Sequence, residues 1–140
     1  MNSMQRYASG VAAALVLLAG SAAADAHGDD PGATVRPVMR QPLPEAPGKE
    51  ALVATVSYAP GQASAPHRHP GSIFACVTRG HVVSQLAGGP EKTYGPGEGW
   101  YEPPGAQHIV SRNASDSEPA EMVVFALAGA HDVLTTPLPR

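Results

Sequence analysis

The run His67-Arg68-His69-Pro70-Gly71-Ser72-Ile73-Phe74-Ala75-Cys76-Val77-Thr78-Arg79-Gly80 decides how this chain is read. Two histidines two places apart are followed by a proline-glycine break, an apolar run and an arginine-glycine turn. In an extended segment, residues two apart share a face and lie about 6 to 7 Å apart along it, so both imidazoles lean toward one centre while Arg68 points away. Pro70 biases His69 toward extended backbone, and Gly71 permits the tight turn that ends the segment. Downstream, Pro103-Pro104-Gly105-Ala106-Gln107-His108 supplies a third imidazole. Three imidazoles that converge make a metal site the leading expectation.

The same grammar continues outward from this run. Glu50 to Tyr58 mixes β-branched residues with rough alternation and ends at Pro60-Gly61, a strand followed by a turn. His81 to Ala87 is closed by Gly88-Gly89-Pro90, and Gly99 to Glu102 by Pro103-Pro104-Gly105. His108 to Arg112 leads into the polar loop Asn113 to Pro119, and Glu121 to Ala128 is a final, nearly continuous apolar strand. No window shows a helical stripe. Short strands punctuated by glycine and proline predict an all-β fold, an antiparallel sandwich or small barrel of about eight strands. Alternate residues of each strand would line its interior and give polar groups a shielded place to meet.

Length and composition bound the rest. One domain is expected in 140 residues, with the 15 glycines and 15 prolines acting as turn punctuation. A net charge of −3 with scattered lysines and arginines gives no footprint for nucleic acid or an anionic membrane surface. Residues 1–24 have the layout of a signal peptide, with Arg6 ahead of an apolar stretch and A-x-A sites after Ala24 or, alternatively, Ala26. The expected product is periplasmic or secreted, with no membrane contact once the signal is removed. Residues 27–48 form a proline-rich arm or edge segment, 50–130 the barrel and 131–140 a C-terminal tail. The arm, from Arg36 to Pro47, is expected to pair with a neighbour's sheet edge in a homodimer. Cys76, the single cysteine, excludes an internal disulfide and is expected to be a small buried hydrophobe, on the face opposite Ile73. His81 and His131 read as surface residues.

These motifs resemble those of the cupin superfamily, jelly-roll β-barrels of the double-stranded β-helix type. In the first family pattern Gly61, His67, His69 and Gly80 fall in register, and in the second Gly97, Pro103, Gly105 and His108 do. Coverage runs from about Leu52 to Ala128, and the flanks look like those of small exported single-domain cupins. The resemblance implies a divalent metal inside the barrel, held by His67, His69 and His108. It gives no fourth ligand, because Ile73 occupies the family's glutamate position and an alkyl chain has no lone pair. Arg112 stands where the second pattern usually has asparagine. Three neutral imidazoles would leave the ion its full double charge and favour an anionic substrate, hydroxide or water in the open positions. The donor set suits iron, zinc, copper, manganese and nickel alike.

Glu102, the carboxylate nearest the second motif, is the candidate catalytic residue, as a partner of a metal-bound histidine or a proton acceptor. Ile73 and Val110 are expected to wall the site, while Gln62, Gln85, Gln107 and Tyr101 are candidates for its mouth. The implied function is a metal-dependent oxygenase or related oxidoreductase acting on a small organic substrate. The alternative is a non-catalytic cupin that captures a metal or small-molecule ligand.

Overall fold

The computed structural model describes residues 32–139; the expected signal peptide and its cleavage sites lie outside them. Ten strands run in chain order: β1 Thr34–Pro42, β2 Lys49–Tyr58, β3 His67–Arg68, β4 Ser72–Arg79, β5 Val82–Leu86, β6 Lys92–Tyr94, β7 Gly99–Glu102, β8 Gln107–Asn113, β9 Ala120–Gly129 and β10 Thr136–Pro137. They form two antiparallel sheets, ordered β1-β2-β9-β4-β7 and β10-β3-β8-β5-β6. No helix occurs among the described residues. The architecture is the expected jelly roll. The short β3, β6 and β10 have two or three residues each and carry little periodicity to read.

Alternation decides which side chains meet inside. Along β4, Ile73, Ala75 and Val77 are buried while Phe74, Cys76 and Thr78 face outward. Cys76 therefore lies opposite Ile73, as its odd spacing requires. It is exposed rather than buried, because residues one step off the core register sit on the outer face of the sheet. The core gathers Val56, Tyr58, Ala75, Val77, Val82, Ala120 and Met122. Fully buried valines such as Val77 and Val82 each contribute about 1.5–3 kcal/mol of hydrophobic stabilisation. The Tyr58 hydroxyl meets Ser64 Oγ at 2.7 Å and Ser111 Oγ at 2.8 Å, which links β2 to the opposite sheet.

The proline-rich arm is a strand over Thr34–Pro42, paired along its inner edge with β2 of the same chain. Its register shifts between Pro37 and Met39. Proline has no N–H to donate, so it is tolerated at an edge or a bulge, and both conditions hold here. Two other backbone features position the site. Gly105, at φ 77°, turns the chain between β7 and β8, and its N–H donates to the His69 carbonyl at 2.8 Å. At Gly99 a β-carbon would stand 2.1 Å from the Ala75 carbonyl oxygen, so only glycine lets β7 lie this close on β4.

Candidate metal centre

The two histidine motifs meet because β3 pairs with β8, which sets His67 directly opposite His108. The His67 ring centroid lies 4.9 Å from that of His69 and 5.1 Å from that of His108. Both motif-one rings are held by main-chain carbonyls: His67 Nδ1 bonds Ala65 O at 2.8 Å, and His69 Nδ1 bonds Leu134 O at 2.6 Å. A carbonyl only accepts, so in each neutral ring the proton sits on Nδ1 and the lone pair is left on Nε2. Among the described residues neither Nε2 makes a hydrogen bond.

His108 is held differently. Its Nδ1 lies 3.1 Å from Glu102 Oε1 and its Nε2 2.8 Å from the Ser84 hydroxyl, so both nitrogens are engaged. Glu102 is 3% exposed, on strand β7, directly across the ladder from Ile73. Its Oε1 also accepts the Trp100 indole N–H at 2.9 Å, while Oε2 is buried, makes no hydrogen bond and stands 3.9 Å from His69 Nε2. Burial pushes the Glu102 carboxyl up, but the hydrogen bond and charge of His108, the Trp100 bond and the charge of His69 outweigh it and hold the group below its ordinary value. Burial pushes His67 below the ordinary histidine value of 6.5; the Ala65 bond offsets part of this, and the charges of His69 and His108 add to it.

These groups form the floor of a cavity of about 460 Å³ walled by Val56, Ile73, Ala75, Met122, Val124 and Ala126, with Leu134 and Thr135 from the tail. Val35, Val38 and Met39 of β1 are exposed beside it and make its margin apolar. Ile73 is part of the wall as expected, whereas Val110 is not among the lining residues. Gln62, Gln85, Gln107 and Tyr101 do not line this cavity either. The Gln62 side chain caps the Ala59 N–H, Gln85 bonds Gly89 O, and Tyr101 stacks on Phe74 at 5.1 Å on the outer face. His81 and His131 are exposed, as the sequence suggests.

Four supporting groups escape a reading of the sequence. The Ala65 and Leu134 carbonyls carry no side-chain signature, and Ser84 is brought to His108 only by the β5–β8 pairing. Trp100 was within reach, since it lies two residues before Glu102 on one strand and so shares its face.

Two bare imidazole nitrogens and an orphaned buried carboxylate oxygen are a donor set that suits a divalent cation. Among the described residues no three such groups stand at ligating separation as placed, so closing on an ion takes side-chain rotation.

The family profile of the cupin domain matches residues 54–126, more than half of the chain. This chain is a cupin. A cupin-like protein from Thermotoga maritima superposes on it with a TM-score of 0.61 at 23% identity, covering 76% of this chain and 75% of the other. A DMSP lyase from Ruegeria pomeroyi gives 0.55 at 20% identity over 64% of this chain and 45% of the other. An oxalate oxidase in complex with glycolate gives 0.53 at 22% identity over 71% and 55%. At these identities the likeness is one of fold. This cupin spans under half the length of the DMSP lyases it matches. No curated protein matches its sequence.

Proposed function

We propose that this cupin is a metal-dependent enzyme, an oxygenase or related oxidoreductase, acting outside the cytoplasm on a small, mostly apolar organic molecule. The observation that carries the reading is the floor of the cavity, where His67 and His69 present Nε2 with Nδ1 fixed on backbone carbonyls. Fixing the far nitrogen sets both tautomer and ring direction, which is how proteins prepare histidine to ligate a metal. A volume of about 460 Å³ falls in the range of small-molecule sites. The export expected of residues 1–24 sets the compartment, and the outer edge of β1, unpaired among the described residues, is where a second copy would pair.

The centre is the cluster of His67, His69 and His108 with Glu102 beside it. These residues would hold a divalent ion, which would supply Lewis-acid chemistry and, for a redox-active metal, electron transfer. The chain's own residues do the rest. Ile73, Val56 and Val124 exclude water and hold the apolar body of the substrate, which strengthens every charge interaction at the floor. Glu102 has Oε1 anchored by Trp100 and His108 and Oε2 3.9 Å from His69 Nε2, a position for the acceptor of a substrate proton or a further donor to the ion.

The test is reconstitution of the mature protein with ferrous iron, followed by oxygen uptake in the presence of small dicarbonyl and phenolic compounds. Uptake with product formation, abolished in His67→Ala, is the expected result. Stoichiometric binding of those compounds without any product would assign the protein to ligand capture instead.

A further inference from the structure

We infer that the outer face of the β1-β2-β9-β4-β7 sheet is a docking surface, and that its occupant is a second copy of this chain. The contact goes beyond the edge pairing proposed above and uses a different surface, so the two are separable by experiment.

Strand β9 carries the signature. An antiparallel sheet with one face in water alternates apolar and polar residues, whereas a strand covered on both faces reads as a continuous apolar run. From Met122 to Ala128, β9 is Met-Val-Val-Phe-Ala-Leu-Ala, without a polar residue. Met122, Val124 and Ala126 face the cavity. Val123, Phe125 and Leu127 leave the opposite face and are only half-buried. The strand is composed for cover on both sides, and among the described residues one chain supplies it on one.

Register widens this strand into a patch. Met39, Val53, Phe125, Phe74 and Tyr101 are successive ladder partners across β1, β2, β9, β4 and β7, and ladder partners share a face. The Phe74 ring lies 6.0 Å from that of Phe125 and 5.1 Å from that of Tyr101. Phe74 is 45% exposed, Tyr101 47% and Met39 57%. In the adjoining row Thr55, Val123 and Cys76 follow the same pairing.

Shape and charge select the occupant. A broad sheet face suits another protein surface, whereas small ligands take concave sites. With strands about 4.8 Å apart and about four outward rows about 7 Å apart, the face covers roughly 650 Å² before side-chain relief, against about 800 Å² per partner in a standard interface. Aromatic residues and methionine hold the middle while charge is confined to the ends, which is the anatomy of a protein interface. At one end Arg36, Arg79 and Glu121 form no ion pair among the described residues. Both signs stand there together, so a copy of the same face can satisfy them, whereas an anionic lipid surface would meet only the arginines. A two-fold contact presents one patch to its own copy, and two apolar sheet faces stack about 10 Å apart as in a sandwich.

Sedimentation equilibrium of the full mature protein, beside alkylation of Cys76 by iodoacetamide, tests the inference. Association at micromolar concentration or below is expected, the range open to interfaces of this size. The mass is that of two chains, or of four where the β1 edge is engaged as well. Cys76 is exposed in the single chain and lies two residues from Phe74 on the same face, so its alkylation should slow as the associated fraction rises. Truncating central aromatics costs about 30-fold or more each, so Phe74→Ser with Tyr101→Ser should weaken association by about 100-fold or more. Both side chains are exposed, so circular dichroism of the variant should match the parent. Association with Cys76 fully reactive would overturn the inference and leave the edge pairing intact. Unchanged association in the double variant would overturn it too. A parent that is monomeric at every concentration would remove both contacts. A monomer that binds phosphatidylcholine vesicles, and loses this in the double variant, would assign the face to lipid and overturn the inference.

Discussion

His67 and His108 face each other as a register pair of β3 and β8, with ring centroids 5.1 Å apart. With His69 at 4.9 Å on the other side, charge on any one ring opposes charge on His67.

This crowding makes the metal-free protein sensitive to acid. The folded value of His67 is depressed below 6.5, so as pH falls past 6.5 the unfolded chain takes up a proton that the folded chain refuses, and stability drops. Glu102 acts in the same direction at lower pH. Its folded value is also depressed, so its contribution is complete above the ordinary glutamate range and is lost as pH falls through the depressed value. Melting temperatures of the metal-free protein should begin to decline near pH 6.5, and His67→Asn should flatten that first decline. An identical profile in the variant would count against the role assigned to His67.

Ending the chain after Val133 should weaken metal binding by about 10- to 100-fold while the sheets persist, because it removes the carbonyl that fixes the His69 tautomer. It also removes β10 and two residues of the cavity wall. Isothermal titration with the metal, beside circular dichroism to confirm the β fold, checks this. Unchanged affinity would mean that the His69 ring needs no such support.

Gly99→Ala should destabilise the fold by about 1–3 kcal/mol in urea denaturation, the usual range for overpacking. Its β-carbon would collide with the Ala75 carbonyl and lift β7 from β4, carrying Glu102 away from the histidines. Metal affinity should fall with stability in this variant. A stable variant with intact affinity would show that β7 has slack.

Trp100→Phe removes the indole N–H from Glu102 Oε1 and keeps an aromatic ring beside Tyr94, now 4.9 Å away. The loss of a bond to a buried charged group should cost about 1.5–3 kcal/mol. The acid-unfolding midpoint should rise, since the carboxyl would protonate at higher pH. A midpoint that stays in place would locate the acid sensitivity elsewhere.

Much of this was legible in the residues, and what was not has identifiable causes. Glycine and proline punctuation bracketed β2, β4, β5, β7, β8 and β9, because turns there demand those residue types. The strand over Thr34–Pro42 was obscured by its prolines, which read as an arm until a bulge and an open edge accommodate them. Glu102 was found by its nearness to the second motif. Its role across from Ile73 depends on which strands pair, and that is a property of register between segments remote in sequence. The main-chain groups that orient His67 and His69 are invisible for the same reason: every residue carries a carbonyl, and only the fold selects which one faces the ring.

The bond from His69 to the Leu134 carbonyl also bears on the order of events during maturation. Leu134 belongs to a tail that docks through β10, a two-residue strand paired with β3. Until that final segment has closed, the ring has no fixed direction. On the proposed metal-dependent reading, uptake of the ion is therefore a late step, and metal binding followed in real time during refolding would serve as a clock for completion of the native state.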